Sequence, residues 1–375
     1  MKKNLNIIAI VAVLTLVLIL ILLQTKKKPE EIKIGIIAPL TGNASIYGSA
    51  LKKGLDLARD EINTKGGIQE NFISLVYEDS YANPTAAVSA FNKLVNVNRV
   101  SVIIGEMFSS PTLAIAPIAQ KNKIVLLSPT ASSEKVPQTG DFVFSIYPSD
   151  WYDGEFIAHF VAGSLKIDRA GIIFVQADAM MTVKDAFKKA LNDLGGRVQI
   201  EEGYSPNTDD FRSILAKIKH INPEVIFIPG YLEEIVKILK QAKEMNIKSQ
   251  FITISTAYDE KLFTITKNTA EGLILSAPFY DEATRQPEII AFKQSYKKKY
   301  NEIPNVWAAY GYDALKIISK AYSNSLLNNS PLHVELSRIK NFVGVTGNTT
   351  FLEDGKVEKQ LRILVVHDNR FVEYK

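Results

Sequence analysis

The sequence predicts an α/β fold of two doubly wound parallel-sheet lobes, preceded by one apolar N-terminal segment. Three observations carry this. Short apolar runs lack polar alternation, as in strands buried on both faces. Helix-length segments separate them, as parallel strands require a crossover. The same order then restarts after Tyr147-Pro148, in a chain of 375 residues that is long for a single core.

The elements follow in order. Ile32–Ala38 is the first strand, and Pro39-Leu40-Thr41-Gly42-Asn43 is its loop. Ser49 to Asn63 places Leu51, Leu55, Ala58 and Ile62 on one helical face, and Gly66-Gly67 ends that helix. Phe72–Tyr77, a helix over Pro84–Val97, and Val100–Ile104 come next. Pro111 is expected at the first helical position of the following helix, before a strand at Ile124–Leu127. After Pro148, helices are expected near Trp151–Leu165 and over Val183–Leu194, Asp210–Ile221 and Leu232–Met245. They alternate with strands at Ala170–Val175, Val198–Tyr204, Val225–Ile228 and Gln250–Ile254. Helices over Pro287–Tyr300 and Val306–Asn324 and late strands within 342–351 and 361–366 complete the pattern.

The N-terminus has a different grammar. Lys2-Lys3 precede Ile7–Leu23, in which only Thr15 is polar, and Lys26-Lys27-Lys28 follow. The run is long for a signal peptide, reaches the short end of a membrane span, and lacks small residues at a cleavage site. Residues 1–25 are therefore expected to be an uncleaved anchor, with a removed signal as the alternative, and 26–31 a charged tether. Those five lysines account for more than the whole net charge of +4. The rest of the chain offers nucleic acid no electrostatic footing.

Several chemistries are excluded. The chain has no cysteine, hence no disulfide, thiolate metal site, cysteine nucleophile or lipid-modified cysteine. Its four histidines lack metal-ligand spacing. Metalloprotease, nucleophile-elbow, phosphate-loop and dinucleotide motifs are missing, so no enzyme activity, metal or cofactor is expected.

Open parallel sheets bind ligands beyond the C-terminal ends of their strands. Two such loops share a chemistry: Glu106-Met107-Phe108-Ser109-Ser110-Pro111 and Ser128-Pro129-Thr130-Ala131-Ser132-Ser133. Hydroxyls and unpaired backbone N–H groups at a helix start form an anion site. Helix capping by serine is the alternative for either loop alone.

Ile34 to Gly42 with Tyr47-Gly48, Ala58-Arg59-Asp60-Glu61-Ile62-Asn63 and Gly66-Gly67-Ile68 resemble the leucine/isoleucine/valine-binding proteins of ATP-driven importers. Ile103-Ile104-Gly105, Ser128-Pro129-Thr130-Ala131, Gly230-Tyr231, Ala270-Glu271-Gly272-Leu273 and Tyr310-Gly311-Tyr312-Asp313-Ala314-Leu315 extend the resemblance through the chain. It implies a type I periplasmic binding protein fold with a three-crossing hinge near Tyr147-Pro148, Ala277-Pro278 and Gly344–Asn348. Lobe one would be 31–147 plus 279–344, and lobe two 148–278 plus 345–375.

The resemblance also implies that Ser109, Thr130 and Ser132 hold a ligand carboxylate. Tyr47 would close over the ligand and Tyr231 would face it from the other lobe. Met107, Phe108, Ala131 and Met181 complete the expected contacts, Phe108 and Met181 as apolar surface. Where the family has a carboxylate for the ligand's ammonium, this chain has Ser255. Glu106, Asp178 and Asp259 are the acids expected to substitute, unless the ligand lacks an ammonium.

The implied function is extracytoplasmic capture of a small amino-acid-like solute, branched-chain or otherwise apolar, for an ABC permease. The chain would act as a monomer, held at the membrane by its N-terminal segment. The alternatives are a receptor for an organic or aromatic carboxylate or amide, and a ligand-sensing ectodomain coupled to a partner.

Overall fold

The computed structural model describes residues 31–280, 286–353 and 355–374. The apolar run Ile7–Leu23 lies outside them; among the described residues no helix is long and apolar enough to cross a membrane.

The first sheet contains β1 (Glu31–Ala38), β2 (Phe72–Asp79), β3 (Val102–Ile104), β4 (Val125–Ser128) and β5 (Val143–Ser145). Its order is β2-β1-β3-β4-β5, and every pairing is parallel. Alternate side chains enter different cores, as the strand period dictates. Ile34 and Ile36 pack with Leu51, Leu55 and Ala58 of α1 (Ser45–Thr64). Ile37 and Ile103 pack with Phe91 of α2 (Pro84–Asn96) and Ile115 of α3 (Ser109–Asn122). Helix α3 starts at Ser109, so Pro111 is its third residue rather than its first. Proline is tolerated there because first-turn N–H groups have no helical acceptor.

The second sheet repeats the arrangement. The helices α4 (Asp150–Gly163), α5 (Asp178–Asp193), α6 (Arg212–Ile221), α7 (Leu232–Glu244) and α8 (Lys261–Thr266) alternate with strands. Those strands are β6 (Arg169–Val175), β7 (Arg197–Tyr204), β8 (Val225–Ile228), β9 (Gln250–Thr253) and β10 (Ile274–Pro278). Their order β7-β6-β8-β9-β10 matches the first sheet. The chain then returns to the first sheet through α9 (Pro287–Tyr300), α10 (Val306–Asn328) and α11 (Leu332–Ser337).

The last return differs from the expected one. β11 (Phe342–Gly344), β12 (Gly347–Phe351) and β13 (Val357–Lys359) form a separate antiparallel sheet. Phe351 of β12 sits in the first core, edge-on to Phe144 at 5.4 Å. Only β14 (Leu361–His367), followed by β15 (Arg370–Glu373), joins the second sheet, antiparallel to β10. The last passage therefore lies at Gln360, beyond Gly344–Asn348. The turn at Val345-Thr346 is held in place by the Asp313 carboxylate, which accepts from Val345 N at 3.0 Å and Thr346 N at 2.7 Å.

Candidate ligand-binding site

In both sheets the strand order reverses beside the first strand, between β1 and β3 and between β6 and β8. Crevices outside the C-terminal strand ends at such switch points are where α/β sheets take ligands. Tyr47, Phe108 and Ser109 follow β1 and β3; Met181 and Tyr231 follow β6 and β8.

The two hydroxyl loops are tied together: Ser133 N–H donates to Ser109 Oγ at 3.2 Å. Phe108 precedes α3 and gives it no side-chain cap, so the first-turn N–H groups of Ser109 and Ser110 lack the usual acceptor. Glu106 braces this loop from below. Its carboxylate accepts from Ser80 Oγ at 2.7 Å and Phe108 N at 2.6 Å, and burial pushes its pKa up to about 7. Glu106 is thus enclosed and committed, and does not serve as an open acid in the cleft.

Other expected contacts turn inward. Met107 belongs to the first core, and its carbonyl accepts the Thr130 hydroxyl at 2.7 Å. A hydroxyl has one proton, so Thr130 has none left to donate to an anion. Ala131 is buried and its N–H donates to Ser128 Oγ at 3.0 Å, so the free amide expected there is taken. Asp259 accepts from the Lys261 N–H at 2.8 Å, which makes it a turn residue at the start of α8. Asp178 is exposed in the first turn of α5.

An aromatic wall stands beside the Ser109 loop. Tyr47 meets Phe108 edge-on at 6.0 Å and Trp307 at 5.4 Å. Trp307 joins it because α10 packs along α1, bringing a distant part of the chain to the cleft. Tyr47, Phe108, Met181 and Tyr231 are each between 37% and 42% exposed, so each presents side-chain surface to solvent.

The crossing from β5 to α4 supplies residues the sequence reading did not select. The Tyr147 phenol shares a hydrogen bond with Ser255, joining the crossing to the second lobe, and burial raises its pKa. Asp150 bonds by its side chain to Ser132, and burial pushes its pKa up to about 6. The Asp150 charge also reaches Tyr231. Ser132, Asp150, Tyr231, Tyr147 and Ser255 thus form one continuous patch between the lobes.

A cavity of about 710 Å³ lies elsewhere, lined by Arg169, Glu224, Lys248 and Gln250 among others. It opens at the N-terminal ends of β6 and β9, the edge opposite the switch point, and Arg169 and Glu224 there pair at 2.6 Å. It lies away from the strand ends at which such sheets take ligands, so the switch-point crevice remains the candidate site.

Residues 31–370 match the family model described as periplasmic binding protein. The chain is 24% identical over 330 residues to the leucine-, isoleucine-, valine-, threonine-, and alanine-binding protein of Pseudomonas aeruginosa, covering 88% of each. Among solved structures, a leucine-binding protein from Thermotoga maritima is 27% identical with a TM-score of 0.76, covering 92% of this chain and 98% of that one. A branched-chain amino acid transporter substrate-binding protein from Streptococcus pneumoniae, in complex with isoleucine, is 26% identical with a TM-score of 0.74, covering 91% and 98%. Two like-ordered parallel sheets, an open switch-point crevice and a family match over nearly the whole described chain agree: this chain belongs to the periplasmic binding protein family.

Proposed function

We propose that this chain captures a small apolar amino acid outside the cytoplasm and delivers it to an ABC permease, anchored by Ile7–Leu23. One observation carries the ligand class: the uncapped first turn of α3, tied to the second hydroxyl loop through Ser133 and Ser109. Ser109 Oγ accepts from Ser133 and keeps its own proton for a ligand carboxylate. Beside it the Tyr47–Phe108–Trp307 wall suits an apolar side chain. Relatives bearing leucine-, isoleucine- and valine-binding names support the same class. The lobes then close over the ligand, with the first sheet and residues 279–359 as one body and residues 148–278 with 360–374 as the other.

Calorimetry over a panel of amino acids and matching deaminated acids tests this reading. Saturable binding of leucine or another apolar amino acid is expected. Binding restricted to the deaminated acids would replace it with an organic-acid receptor.

A further inference from the structure

We infer that Asp150 receives the ligand's ammonium group, standing in for the acid that Ser255 replaces. The inference rests on the amino-acid reading above and adds the counter-charge that reading lacks. An ammonium enclosed between two lobes needs an anionic partner, because desolvating it unpaired is costly.

Three other acids near the cleft are otherwise engaged, and Asp178 stands exposed in the first turn of α5. Glu106 is enclosed by Ser80 and the Phe108 amide. Glu134 accepts from Ser149 Oγ at 3.0 Å and lies 3.8 Å from Lys356 Nζ. Asp153 is buried and accepts the Ser276 hydroxyl. Asp150 differs from all three. Its side chain has the Ser132 hydroxyl as a partner and the Glu134 charge as a neighbour, and no cation pairs with it among the described residues.

Asp150 stands in the first turn of α4, where an acid could serve the helix alone. That helix, however, is capped by Ser149, whose Oγ accepts from Tyr152 N at 3.1 Å. The Asp150 side chain points instead to Ser132, on the loop whose neighbour Ser133 contacts Ser109. The backbone fixes the same approach, with Asp150 N–H donating to Ser132 O at 3.0 Å. An α-amino acid carries both charges on one carbon. Its carboxylate on the Ser109 turn would place its ammonium toward Ser132 and Asp150. A carboxylate without that ammonium would meet the Asp150 charge uncompensated.

The test is Asp150→Asn, titrated by calorimetry with leucine and with 4-methylpentanoate, beside wild type and Asp178→Asn. Leucine affinity should fall at least about tenfold in Asp150→Asn, as expected for losing a charged hydrogen-bond partner. Affinity for 4-methylpentanoate should hold or rise, which also reports that the variant is folded. Asp178→Asn should bind leucine as wild type does. Should Asp150→Asn fail to fold, Asp150→Ser carries the same comparison. Equal loss for both ligands in a folded variant, unchanged leucine binding, or loss in Asp178→Asn instead would overturn the assignment. Wild type that binds no amino acid of the panel would overturn the functional reading itself, a separate and recognisable result.

Discussion

Ser109 and Thr130 carry similar hydroxyls in neighbouring loops, yet their protons go to different places. Thr130 donates to the Met107 carbonyl inside the core, whereas Ser109 accepts from Ser133 and keeps its proton. Ser109→Ala should therefore weaken leucine binding by about tenfold or more. Thr130→Ala should instead cost about 1 kcal/mol of stability and change affinity less. Paired calorimetry and thermal melts separate the two, and a larger affinity loss in Thr130→Ala would reverse these roles. The hydroxyl loops were legible in the sequence because strand, loop and helix start are contiguous. Which hydroxyls face inward was not, since that depends on a partner more than 20 residues away. Asp150 escaped notice for the same reason: alone in sequence it reads as a first-turn acid, and its meaning comes from Ser132 folding back on it.

At the scale of elements, α10 is where the first lobe and the three-stranded sheet meet. Gly54 of α1 lies against the Ala308 carbonyl of α10, where a Cβ would fall 1.9 Å away, so the helices touch backbone to backbone. One turn further, Asp313 anchors the β11–β12 turn. Thr346 Oγ1 donates to Asp313 at 2.5 Å and accepts from Lys359 Nζ at 2.6 Å. Lys359 is buried, and burial pushes its pKa down to about 8 despite Asp313 nearby. Asp313→Asn would leave that ammonium without its counter-charge, and a stability loss of about 3–5 kcal/mol is expected. Chemical denaturation measures it; a loss below about 1 kcal/mol would show that the network is not what fixes the turn. Most elements were legible from apolar periodicity, including the first four parallel strands of each sheet. The errors sit where periodicity is silent. Helix α5 begins at Asp178 rather than Val183, because its first turn looks like loop. The β5 and β10 strands were missed: β5 (Val143–Ser145) has only three residues, and β10 (Ile274–Pro278) ends at the Ala277-Pro278 pair read as a crossing. Gly344–Asn348, where a crossing was expected, instead turns back as a hairpin in which β11 pairs with β12.

At the scale of the molecule, the crossings collect buried acids whose protons respond to pH. Asp153, in α4, accepts from Ser276 of β10, and burial pushes its pKa up to about 7. An unfolded aspartate releases its proton near pH ~4. Between those values the folded chain holds a proton that the unfolded chain has lost, so stability falls as pH rises. Across that window Asp153 accounts for on the order of 4 kcal/mol. Asp153→Asn should flatten the decline in melting temperature between about pH 4 and 7. An unchanged profile would locate the titration elsewhere.

The same crossings are the axis about which the lobes would close, a two-state motion that ligand shifts only through better contacts in the closed form. The cysteine-free chain suits a direct measurement. Spin labels on Asn43→Cys and Glu233→Cys, both exposed and placed after β1 and β8, span the cleft from lobe to lobe. Saturating leucine should shorten the distance between them and narrow its distribution, and 4-methylpentanoate should do so less. An unchanged distance at saturating leucine would contradict capture by closure of the two lobes.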